Sequence, residues 1–291
     1  MKKLSVLFLV FVSLSFVSCK SKKNTTKGVS KKAVASIKSE LGEQPPVIVS
    51  ANISAMKKSM LWDLTKKAVK KEAGDVFNKV SIDKLDKAIL LAGGDFGSKA
   101  EKVKNANAYI VIKGISVDEI KKLKPEKFKS AKLNGKDVVS STKDGVTTYV
   151  FSPSKNITVA VAGDWSKKVT PGKGALGTGS LVNNVGSEAL TFNINGIPKL
   201  KKAKGTLNLS SGLKFNGEFT VGAKMVDKTM KEYAKAKKQA DQIPMPGIKD
   251  LINAVTVKKI GSDTLSVKVD LSEKQLKNVM NLAKTFGQGM M

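Results

Sequence analysis

The sequence predicts an α+β protein of two related halves, with mainly antiparallel sheets and helices packed on one face. Three observations lead there. Short segments of alternating apolar residues lie close together between turn residues, which favours antiparallel pairing. Helix starts with recognisable capping chemistry interrupt them. Hairpin, helix and hairpin then occur in that order twice, the pattern of helices segregated against antiparallel sheet.

The elements follow in order. A short helix is expected from Ala33 to Leu41, closed by Gly42 and Pro45-Pro46. Val47 to Ile53 alternates as a strand, and Ser54 stands as the N-cap of a helix with the stripe Met56, Met60, Leu64 and Ala68, beside which Trp62 packs. Ala88 to Ala92 and Ala108 to Gly114 read as strands. A helix then opens at Ser116, where Ser116 and Glu119 form a capping box and Ile115 with Ile120 a hydrophobic staple.

Strands at Lys136 to Ser141, Val146 to Ser152 and Ile157 to Ala162 lead into a Gly-rich connection through Pro171 to Gly186. The second half offers strands at Ala189 to Ile194, Gly205 to Leu209 and Lys214 to Val221, then a helix from Met225 to Ala240. Strands Ala254 to Lys258 and Leu265 to Leu271, and a helix from Glu273 to Phe286, complete it. Two registers relate the halves as an internal repeat. One matches Ile110-Val111-Ile112 before Val117 with Phe219-Thr220-Val221 before Met225; the other matches Ile115-Ser116 with Leu271-Ser272. Element order favours the first, because a capping box marks any strand-to-helix entry.

The chain divides into a leader (1–18), a tether with a short helix (19–46), a first half (47–170), a Gly-rich connection (171–187) and a second half (188–291). The leader has Lys2 and Lys3, an apolar run from Leu4 to Val17, then Ser18 and the sole cysteine, Cys19. A basic start, a short apolar stretch and a small residue before the cut describe a secretory signal; a bilayer span needs about 20 apolar residues. Phe16-Val17-Ser18-Cys19 resembles the lipobox of bacterial lipoproteins, with phenylalanine where leucine is usual. The resemblance covers the leader only. It implies cleavage between Ser18 and Cys19, acylation of Cys19 with palmitate-type chains, and a lipid anchor in the cell envelope. Lys20 stands where the enterobacterial inner-membrane retention signal has aspartate, which points to the outer membrane, on its periplasmic or surface face. The folded halves resemble, in pattern alone, uncharacterised two-half α+β envelope lipoproteins. The alternative for the leader is plain secretion with an incidental cysteine.

Lys20, Lys22, Lys23, Lys27, Lys31 and Lys32 fall in an acid-free stretch with Ser, Thr, Asn and Gly, which reads as a solvated tether able to contact an anionic surface. The whole chain carries a formal charge of +28 from 52 basic and 24 acidic residues. All the basic residues are lysine. Lysine is a hydrated point charge, so the expected attraction is diffuse and salt-sensitive, toward anionic lipid or an envelope polyanion, rather than shaped recognition of one phosphate. AT-rich coding produces the same bias without any partner.

Composition also restricts the chemistry. With no histidine, and its one cysteine in the lipobox, the chain has no material for a Ser-His-Asp or Cys-His nucleophile or for a His- or thiolate-based metal site. Ser54-Ala-Met-Lys57 has the S-x-x-K spacing of penicillin-binding proteins and class A β-lactamases, but the companion K-T-G and S-D-N elements are absent. Gly172, Gly174 and Gly177 spell G-x-G-x-x-G away from any strand-to-helix turn, and read as loop. Asp83 with Asp86, and Asp118 with Glu119, are carboxylate pairs at expected helix starts, where acids complement the helix dipole. No cofactor and no metal is expected. Three functional readings follow: a lipid-anchored envelope protein with a non-catalytic ligand- or partner-binding or structural domain, a polyanion or nucleic-acid binder at the cell surface, and a carboxylate-dependent hydrolase. The first is preferred, since no RNP, KH or helix-turn-helix signature accompanies the charge.

Overall fold

The computed structural model describes residues 31–63, 65–67, 82–95, 104–122, 125–197, 200–242 and 251–288. Twelve strands form one sheet: β1 (Val47–Asn52), β2 (Lys87–Asp95), β3 (Lys104–Lys113), β4 (Lys129–Leu133), β5 (Lys136–Lys143), β6 (Val146–Ser154), β7 (Ile157–Ala162), β8 (Leu190–Ile197), β9 (Leu200–Asn208), β10 (Leu213–Thr220), β11 (Val255–Lys259) and β12 (Thr264–Leu271). Their order across the sheet is β11-β12-β10-β9-β8-β1-β2-β3-β7-β6-β5-β4. Every neighbouring pair is antiparallel. The helices are α1 (Lys31–Leu41), α2 (Ile53–Lys57), α3 (Val117–Lys121), α4 (Gly174–Gly177), α5 (Ala223–Gln242) and α6 (Glu273–Gln288).

The α+β, antiparallel expectation holds, with one difference of architecture. The halves share a single continuous sheet, because β1 pairs with β8 at its centre, Val49 opposite Phe192 and Ala51 opposite Leu190. Outward from that pair the first four strands on each side follow the same layout, the first half continuing for three more. β3 and β10 are each third from the centre, each is followed by a helix, and a later strand, β7 or β12, returns to pair with it.

Strand alternation sends the two halves' cores to opposite faces of this sheet. On β1, Ile48 joins one buried cluster while Val47, Val49 and Ala51 join the other. The back face of the first half carries Ile89, Leu91, Tyr109, Val111, Val159 and Val161, covered by Ala33, Ile37 and Leu41 of α1 and by Trp165, Leu176, Leu181 and Val182. The front face of the second half carries Leu190, Phe192, Leu207, Phe215 and Val269, covered by Met56, Trp62 and Leu276. Trp62 thus packs as expected. The segment expected as a Gly-rich connection is packed structure: α4 and a 3-10 turn at Ser180–Asn184 bury Leu176, Leu181 and Val182.

At the centre of the second half the register sets Gly217 opposite Gly205. A Cβ on Gly205 would lie 2.6 Å from the Phe192 ring, and one on Gly217 2.7 Å from the rings of Phe215 and Phe219. The glycines are therefore the floor on which these aromatics lie, with Phe192 stacked on Phe215 at 5.9 Å between centroids.

Local chemistry explains the helix starts. Ser116 accepts from the Glu119 amide while the Glu119 carboxylate accepts from the Ser116 amide, the expected capping box. Ser272 and Gln275 form the same reciprocal pair before α6. The cap of α2 differs from expectation. Asn52, rather than Ser54, is the N-cap, accepting from the Ala55 amide at 2.9 Å. An Asn ending a strand is one of the strongest N-cap residues, so the helix begins two residues earlier. The remaining stripe positions Leu64 and Ala68 lie outside the described residues.

Candidate functional site

The G-x-G-x-x-G stretch does hold an anion, and that anion is part of the protein. The Glu40 carboxylate, on the last turn of α1, accepts from the amides of Ala175 and Leu176 at 2.6 and 3.0 Å. Gly174, with φ near +63°, lets it approach: a Cβ there would lie 2.4 Å from a Glu40 oxygen. A Cβ on Gly177 would collide with the Thr170 carbonyl at 1.8 Å. The sequence reads this stretch as loop, whereas Gly174–Gly177 forms the short helix α4, and the glycines serve internal closure. Beside them the Tyr109 hydroxyl donates to the Leu176 carbonyl at 2.9 Å. Burial, and secondarily the Glu40 charge, hold that phenol protonated, well above its ordinary range. The Trp165 indole donates to Glu43 at 2.7 Å, and Lys168 donates to the Leu41 carbonyl, so the end of α1 is tied down by several partners.

The S-x-x-K pair is likewise engaged. Ser54 Oγ donates to Asp86 Oδ1 at 2.6 Å, while Lys57 Nζ donates to the Asp83 backbone carbonyl. Lysine and serine thus turn to different partners. Asp83 lies in the first turn of a 3-10 helix, as expected for a helix-start acid, whereas Asp86 lies just before β2, within 3.6 Å of Lys113. Glu119 pairs with Lys84 at 2.6 Å, which with its capping amide holds its carboxyl below the usual range. Among the described residues no three His, Cys, Asp or Glu side chains gather as a metal site.

Ser18, Cys19, Lys20, Lys22, Lys23 and Lys27 lie outside the described residues. Lys31 and Lys32, expected in the tether, are the first two helical residues of α1. The apolar spacing of Ala33, Ile37 and Leu41 extends one half-turn upstream because lysine is itself a good helix former.

Two surfaces of the second half present lysines in an ordered pattern. Its back face alternates opposite the core strands and carries Lys202, Lys204, Lys214, Lys258 and Lys268 among Asn, Thr and Ser, with Glu218 and Asp270 pairing Lys204 at 2.7 Å and Lys214 at 4.0 Å. The second surface is α5. Only Val226 is fully buried there, with Met230 and the half-buried Tyr233 packed in the same small cluster as Val257 and Leu265. Tyr233 donates to the Val255 carbonyl at 2.8 Å, the last described tie between helix and sheet along the chain; residues 234–239 are exposed. Lys224, Lys228, Lys231, Lys235 and Lys238 are all exposed, and their 4-3-4-3 spacing places them on one helix face. Sequence reasoning saw only excess lysine; the spacing was the signal that locates this row.

Among the described residues no helix is long and apolar enough to cross a membrane. No family model matches the chain, and no curated protein matches it. Two solved structures are similar, both of the Treponema protein TP0453. Crystal form III has a TM-score of 0.43 at 14% identity, covering 83% of this chain and 96% of that one; form IV has 0.36 at 11%, covering 83% and 94%. At these values neither likeness carries an argument about this protein.

Proposed function

We propose that this chain is a bacterial envelope protein held to a membrane, the outer one by preference, through lipid on Cys19. Its basic body acts by binding a ligand or partner, or as a structural element, and not as a catalyst. One observation carries the non-catalytic part. Each described constellation with catalytic or cofactor spacing is engaged by its own fold: Ser54 by Asp86, Lys57 by the Asp83 carbonyl, and the Gly-rich loop by Glu40. A hydrolase needs a nucleophile or water activator with a tuned partner, and Ser54 and Lys57 are not paired with each other. The anchor rests on the leader residues. The lysines at 20, 22, 23 and 27 beside it would each add about 1 kcal/mol against an anionic leaflet.

The test has two arms. Cys19→Ala should abolish incorporation of a fatty-acid label and release the protein from membranes, since at least two chains are needed for firm anchoring; normal labelling and retention would refute the anchor. A broad hydrolase screen on the purified full protein should give background rates. A reproducible activity lost with Asp86→Asn, Ser54→Ala or Lys57→Ala would make the protein an enzyme.

A further inference from the structure

We propose that the outward row of lysines on α5 is a docking ridge for a linear polyanion, a flexible chain bearing a phosphate or carboxylate on each repeat. This deepens the binding reading above and rests on it, but does not depend on the lipid anchor. At 100° per residue, Lys224, Lys228, Lys231, Lys235 and Lys238 fall within about 40° of one line, roughly 150° around the helix from the sheet-facing Val226, Met230 and Tyr233. The row runs about 21 Å with neighbouring Cβ atoms roughly 5–6 Å apart.

The acids leave this line largely open. Asp227 is turned to Lys259 at 2.8 Å, and Glu232 stands on the flank, 3.8 Å from Lys228. Lys237 lies on the other side, over the Tyr233 ring at 5.6 Å.

A chain of charges laid along the row comes within reach of every lysine as they alternate by up to about 40° to either side of one line, and the helix's place in the fold favours such a polymer over the membrane as the occupant. Helix α5 packs on the front face at the β11 edge, while α1, the element nearest the tether in sequence, packs on the back face of the other half. Lysine supplies attraction without a fixed fork, which suits a flexible polymer lacking a set geometry.

The experiment uses the full protein in neutral detergent, titrated with long-chain polyphosphate and with poly-glutamate over a salt series. The ridge variant carries Lys→Gln at positions 224, 228, 231, 235 and 238, keeping good helix formers. A control carries Lys→Gln at 202, 204, 214 and 258 on the back face of the sheet. The ridge variant should lose at least about tenfold in affinity for one or both polymers at low salt, and its log K against log salt slope should fall by roughly 0.7 for each lysine–anion pair removed, as for single strands. The control should change far less, and circular dichroism should show both helical contents unchanged. Whether polyphosphate or poly-glutamate responds identifies the charged group. Equal losses in both variants, or wild-type binding by the ridge variant, would overturn the proposal. So would ridge-dependent binding to phosphatidylglycerol vesicles that exceeds polymer binding. Cys19→Ala should leave polymer binding intact, so loss of the anchor reading and loss of the ridge are told apart. A hydrolase activity found while ridge binding holds would remove the non-catalytic reading alone.

Discussion

The two helices α1 and α5 show what each half does with its surface. The shorter, α1, buries Ala33, Ile37 and Leu41 completely or nearly so, and its last residues Glu40 and Leu41, with Glu43 just beyond, are each bonded to the 165–176 region. The longer, α5, buries Val226 alone among its described side chains and leaves residues 234–239 in solvent. Burial of apolar side chains at about 25 cal/mol per Å² explains why α1 is fixed to the sheet. For α5 the same term acts only over its first turns, and six lysines along the helix remain hydrated. Side chains that stabilise the fold are withdrawn from partners; those that contribute little to it are the ones available for recognition.

This contrast can be broken by mutation, beginning where the effect is largest. Trp165 is fully buried in the first half and donates to Glu43. Trp165→Ala should destabilise the protein by about 3–5 kcal/mol, read by denaturant unfolding. A loss under about 1 kcal/mol would mean that the cap over the first half is loose. In the second half, Gly205→Val should cost about 1–3 kcal/mol, because its Cβ would lie 2.5 Å from the Asn216 carbonyl oxygen and 2.6 Å from the Phe192 ring. An unchanged midpoint there would show that the aromatic cluster repacks freely. The smallest effect concerns acid. Glu119 has a folded pKa below its ordinary value, first through its bond to Lys84, so its contribution is present above the usual carboxylate range and lost as pH falls through the depressed value. Glu119→Gln should flatten the acid limb of the Tm–pH curve and leave the limb near neutrality almost level. An identical acid limb would contradict that pairing.

Much of this was legible from residue order. The alternation at Ile157 to Ala162 gave a strand with the observed ends, and Ser116 with Glu119 gave the capping box, because both signals are local. β4 was missed: Lys129-Ser130-Ala131-Lys132-Leu133 is too polar to read as a strand, and it forms one by pairing with β5 at the sheet edge. The single sheet was not legible either, since β1 meets β8 across some 140 residues and nothing in either segment names its partner. Nor was the role of the Gly-rich stretch. Its glycines predict a close approach of something, but Glu40 lies 135 residues away in sequence and carries no mark of its destination. Of the candidate anionic-surface residues, only Lys31 and Lys32 fall among the described positions, in a helix, and the lysine row on α5 was hidden by a composition in which lysine is everywhere.

The contrast between α1 and α5 is tested most directly by hydrogen–deuterium exchange on the full protein, with and without long-chain polyphosphate at low salt. Amides of residues 34–41 should exchange as slowly as the central strands in both conditions, while those of 234–239 should exchange fast in the free protein and slow down when the polymer is present. Equal protection of both helices in the free protein, or polymer-induced protection in α1 with none in α5, would contradict the account.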